Sequence, residues 1–113
     1  LSREADVGRA LEPQRLVEAI AIPQRECFAA AIDFAKAEGI IPAPEPTHAI
    51  AAAVREALAC KESGEEKVIL TALCGHGHLD LASYEQYLHG DMVDYELPDE
   101  AIAEAMKSVP VLA

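Results

Sequence analysis

The stretch Val68–Asp80, "VILTALCGHGHLD", decides how this chain is read. Its first half is a continuous apolar run interrupted only by Thr71. Continuity, rather than alternation, suits a strand buried on both faces, as in a parallel sheet. The run ends at Cys74, and Gly75, His76, Gly77 and His78 follow in strict alternation. Open α/β folds bind ligands beyond the carboxyl ends of their strands. Glycines at such an end let a flat ligand approach the main chain. The turn is neither the GxGxxG dinucleotide pattern nor a P-loop, since no Lys-Ser/Thr pair follows.

Helical patterns surround this strand. After the turn, Asp80 stands at the start of a short helix through Tyr87, stopped by Gly90. A last helix is expected from near Pro98, with Asp99 and Glu100 in its first turn and Lys107 in its last, as the helix dipole prefers. Upstream, "ESGEEK" is a polar turn. Before it, Ile50, Ala53, Val54, Ala57 and Leu58 recur with helical spacing, behind Thr47 as an expected N-cap. "IIPAPEPTH" has prolines at alternate positions, which predicts an extended segment. Cys27, Phe28, Ala31, Ile32 and Ala35 form the stripe of an earlier helix opened by Pro23 and capped by Gly39. Leu16, Val17, Ile20 and Ala21 suggest one more, behind Pro13. Residues 1–12 read as an irregular lead-in. One strand cannot form a sheet, so the strand at about 67–74 is expected to pair with a sheet outside this chain.

The composition limits the function. The 113 residues fit at most one domain. Hydrophobic residues make up 51%, many of them alanine, which favours closely packed helices. The net charge of −11, from 20 acidic and 9 basic residues, argues against nucleic acid and anionic membranes as partners. No apolar run reaches the roughly 18–20 residues of a membrane span, and no signal peptide is visible. Cys27, Cys60 and Cys74 form no CxxC and cannot all pair within one chain, so free thiols in a reducing cytoplasm are expected.

Two places carry candidate chemistry. On an extended chain Cys74, His76 and His78 share one face, and sulfur with imidazole suits zinc or copper. This gives one reading, a stand-alone acidic metal-binding or interaction module. The other has histidines hydrogen-bonding within a tight turn and a cysteine serving as a small apolar residue. The second place is "PAPEPTHA", where Glu45 stands between Pro44 and Pro46 just before a helix, a stiff setting for a carboxylate. The alternative there is an exposed loop glutamate favoured by the helix dipole. His48 reads as structural or exposed. Tyr84 and Tyr87 read as packing residues, and the acidic runs as solvated faces not spaced like an EF-hand.

Taken together, "EGIIPAPEPTHAI" and "LCGHGHLDL" resemble the C-terminal portion of the tryptophan synthase beta chain family, most closely its beta-like branch. "AIAIPQRECFAAAIDFAKAEG" also looks like the helical segment preceding the first motif. The resemblance implies an α/β fold class, with residues 1–113 a helix-rich C-terminal part of one catalytic domain of a fold type II pyridoxal-phosphate enzyme and no complete second domain. It implies a lyase that replaces the hydroxyl of L-serine with indole, or a related nucleophile, giving L-tryptophan and water. The family works as a homodimer, sometimes with an alpha subunit delivering indole.

Carried over by position, Cys74 faces the pyridine nitrogen of the cofactor, Gly75 supplies backbone beside the ring, and Glu45 lies across the pocket. A neutral thiol donates a hydrogen bond to that nitrogen without fully protonating it, giving a weaker electron sink than an aspartate partner would. His76 and His78 would lie behind the cofactor and stiffen the turn. The Schiff-base lysine and the glycine-rich phosphate loop of the family lie upstream of the matching segment. Lys36, Lys61, Lys67 and Lys107 lack that motif. No catalytic residue is therefore expected here, and the 113 residues alone are expected to be inactive.

Overall fold

A computed structural model describes residues 19–95 and 98–108. Its helices are α1 (Gln24–Glu38), α2 (Pro44–Ser63), α3 (Leu81–His89) and α4 (Asp99–Met106), with a 3-10 turn at Gly77–Leu79. Helices α1 and α2 form the main packed pair, and α3 lies against α1. No helix among the described residues is long and apolar enough to cross a membrane.

Helix α1 follows its apolar stripe. Cys27, Phe28 and Ala31 are buried, with Ile32 and Ala35 half-buried beside them. Gly39 closes the helix in the left-handed conformation (φ 69°), its N–H donating to the Ala35 carbonyl at 2.9 Å. Pro23 provides no side-chain cap. The start is held from 69 residues away: Arg25 N–H donates to Asp94 Oδ1 at 3.0 Å, and the Gln24 amide donates to the Val93 carbonyl. The helix expected over Pro13–Ala21 lies mostly outside the described residues. Its described end, 19–22, has no regular structure, and only Ile22 is buried.

Helix α2 begins earlier than the proline pattern predicts. The extended segment ends at Ala43, and Pro44 and Pro46 sit inside the first turn. The first-turn amides have no intrahelical acceptor, so prolines lose no bond there. Thr47 is accordingly not the cap. It is fully buried and donates its hydroxyl to the Pro44 carbonyl. Of the expected stripe, Ile50 is buried and Ala53 half-buried, while Val54, Ala57 and Leu58 are exposed.

Among the described residues the core is small and falls into two clusters. Ile22, Cys27 and Ala51 form one, and Phe28, Ala31 and Tyr84 the other. In the second, the Tyr84 ring meets Phe28 edge-on at 5.0 Å between centroids, and Tyr87 stacks on Phe28 at 5.8 Å. Arg55 ties α2 to α1 through a two-pronged bond to Glu26, at 2.5 and 2.6 Å.

The strand expected at 67–74 is not formed among the described residues. Residues 65–75 have no regular structure, with Val68 99% and Leu70 96% exposed. A strand needs a neighbour to hydrogen-bond its backbone, and these residues find none here. What remains of β pairing among the described residues is one isolated antiparallel bridge, Pro42 with His76.

Helix α3 runs two residues beyond the expected Tyr87 and stops at Gly90. Asp80 holds its cap position without a side-chain capping bond. Helix α4 follows Pro98 with Asp99 and Glu100 in its first turn, and buries none of its residues. Lys107 follows the helix and pairs with Glu104.

Candidate functional site

The two motifs that stand about thirty residues apart in sequence meet in space. Gly77 N–H donates to the Ile41 carbonyl at 2.8 Å, and Ala43 N–H donates to the Gly75 carbonyl at 3.3 Å. These bonds flank the Pro42–His76 bridge and align segment 41–45 with turn 74–77. Two glycines make the approach possible. A Cβ on Gly77 would lie 2.4 Å from the Pro42 carbonyl oxygen and 2.7 Å from Ile41 Cγ2. Gly75 holds φ 113°, and a Cβ there would lie 2.9 Å from Ala43 Cβ.

The predicted site residues sit on this assembly. Cys74 and Gly75 are exposed at its edge. Glu45 is also exposed, but stands in the first turn of α2 rather than on an extended loop. An acidic residue suits the first turn of a helix, where the dipole is positive. Cys74, Gly75 and Glu45 thus lie on or next to the paired segments, all three exposed.

The histidines serve the turn. His76 Nδ1 accepts the backbone N–H of His78 at 3.3 Å, capping the 3-10 turn, and the two rings meet edge-on at 4.4 Å. Nδ1 of His76 is therefore engaged as an acceptor. Among the described residues no three His, Cys, Asp or Glu side chains converge to hold a metal ion, so the metal-module alternative is not carried.

Some contacts around this assembly have no local sequence signal. Tyr84 Oη donates to the Pro42 carbonyl at 2.6 Å across 42 residues. Burial, with the Asp80 charge adding to it, raises the phenol's pKa, so it stays a donor. Cys27 Sγ lies 3.2 Å from His48 Nδ1, a contact between α1 and α2. Burial pushes this thiol up from its ordinary value, partly offset by a Thr47 hydrogen bond. It is a packed neutral group rather than a ready nucleophile.

A scan against protein-family models finds no match. Curated relatives do match. A "Tryptophan synthase beta chain 2" of Aquifex aeolicus is 59% identical over 78 residues, covering 69% of this chain and 18% of that protein. By sequence, this chain is tryptophan-synthase-beta-like. The protein of the same name from Methanosarcina mazei is 56% identical over 77 residues, covering 68% of this chain and 17% of that protein. The one from Pyrococcus furiosus is 50% identical over 95 residues, covering 84% and 21%. The chain thus spans about a fifth of the length of these relatives.

Proposed function

We propose that this tryptophan-synthase-beta-like segment builds one wall of a pyridoxal-phosphate site in a lyase that joins L-serine and indole to give L-tryptophan and water. The observation that carries this reading is the hydrogen-bonded pairing of Ile41–Ala43 with Gly75–Gly77, which joins the two motifs that resemble the family. The exposed apolar run Val68–Leu73, beside them in sequence, fits the same reading. It becomes a central strand when the rest of one α/β catalytic domain of the fold type II class supplies its neighbours.

The residues present fit the cofactor. Cys74 is exposed and its thiol would donate to the pyridine nitrogen, exposed Gly75 would offer main chain beside the ring, and exposed Glu45 would stand on the adjoining segment. Bound pyridoxal phosphate supplies the electron sink for elimination of the serine hydroxyl and addition of the nucleophile. The role of this chain is to orient the ring and fix the protonation at its nitrogen. The lysine and phosphate loop belong to the remainder of the same enzyme, which acts as a homodimer and takes indole either free or from an alpha subunit.

The test is tryptophan formation by the complete protein supplied with pyridoxal phosphate, L-serine and indole. Turnover is expected, with the 113 residues alone inactive. Cys74→Ser should retain activity, and Cys74→Ala should lose about tenfold, the worth of one hydrogen bond at the reacting system. Absence of turnover by the complete protein refutes the reading.

A further inference from the structure

We propose that Tyr84 is a positioning residue that locks the two cofactor-facing segments in register. This deepens the reading above and rests on it. The register of segment 41–45 against turn 74–77 depends on two backbone hydrogen bonds around a single bridge. So short a pairing is marginal without support. The support comes from α3. Pro42 is fully buried and has no N–H, so its carbonyl is the only backbone group by which it can be held. That carbonyl accepts the Tyr84 hydroxyl at 2.6 Å.

The phenol is itself immobilised. Its ring is buried edge-on against Phe28 of α1, and Tyr87 stacks on the same Phe28. The Pro42 oxygen also lies where a Gly77 side chain would begin, so any drift of Pro42 is felt at the glycine turn. Tyr84 therefore links the helical core to the segment bearing Glu45 and, through it, to the turn bearing Cys74 and Gly75. Its hydroxyl is spent on the Pro42 carbonyl and its ring on the core, so its action on the site is indirect.

The experiment uses the complete protein loaded with pyridoxal phosphate. Tyr84→Phe removes the hydroxyl and keeps the ring. Its cofactor affinity, read from the visible absorbance of bound pyridoxal phosphate, should fall about fivefold to tenfold. Asp94→Ala loosens the start of α1, away from this contact, and should leave cofactor affinity within twofold of the wild type. Equal affinity in Tyr84→Phe and wild type overturns the proposal, as does an equal loss in both variants. A wild type that binds no cofactor overturns the lyase reading instead, and the role given to Tyr84 with it. A second measurement needs no variant. Cofactor binding should slow amide exchange at Ala43, Gly77 and Tyr84 together. Slowing confined to Ala43 and Gly77 overturns the coupling through α3.

Discussion

Replacing Gly77 by alanine tests whether the close approach of the two segments is what builds the site. The new Cβ would stand 2.4 Å from the Pro42 oxygen, 2.7 Å from Ile41 Cγ2 and 3.1 Å from the Pro42 carbonyl carbon. Restoring ordinary contact, about 3.5 Å, requires a backbone retreat of roughly 1 Å. The Pro42 oxygen cannot simply swing aside, because it accepts the Tyr84 hydroxyl and belongs to a proline. The retreat stretches the 2.8 Å Gly77–Ile41 bond and the 2.6 Å Tyr84–Pro42 bond together. Weakening these bonds, with the strain of overpacking, comes to about 2–4 kcal/mol. Gly39→Ala is the comparison. Gly39 sits at φ 69°, a left-handed demand that Gly77 does not carry, but nothing lies within 4 Å of its added Cβ, and the change should cost only about 1 kcal/mol. The assay is the urea midpoint of the complete protein, alongside cofactor retention. If Gly77→Ala is no worse than Gly39→Ala, the close approach does not constrain the turn.

Other perturbations address separate links. Asp94→Ala removes the remote acceptor for Arg25 N–H and should lower stability by about 1 kcal/mol, seen in thermal or urea unfolding. Alkylation followed by peptide mass analysis should modify exposed Cys74 first in the isolated chain and buried Cys27 last, and cofactor should protect Cys74 in the complete protein. The Arg55 hydrogen bond holds the Glu26 carboxyl below its ordinary 4.5. A depressed folded pKa means this contribution is present above pH 4.5 and lost as the pH falls through the folded value. Glu26→Gln should therefore flatten the acid limb of stability measured from pH 7 to about pH 3.

Much of this was readable from residue order where the cause is local. The stripe Cys27, Phe28, Ala31 sets the buried face of α1 because helical spacing alone brings those side chains together. Gly39 and Gly90 end their helices as read, because a left-handed closure favours glycine. The start of α2 departs from the expected extended segment because prolines in a first turn and prolines in an extended segment look alike in sequence. Val68–Leu73 has the composition of a strand, but strand formation depends on neighbours that the sequence of one partner does not contain. The candidate site residues were found through family motifs rather than spacing. Their meeting through Ile41–Gly77 and Tyr84–Pro42 joins positions 36 and 42 apart, with no periodicity to announce it.

The clasp of residues 93–94 on the start of α1 bears on how the chain is made. The first helix emerges from the ribosome long before Asp94 does, and its opening turn must fray until about seventy more residues have been added. During that interval α1 and α2 can meet through Cys27 and Ala51, while Phe28 still waits for Tyr84. Synthesis thus has a built-in order: the helix pair first, then closure by the trailing segment, so that ribosome stalling before residue 94 should leave the nascent chain sensitive to protease near Pro23.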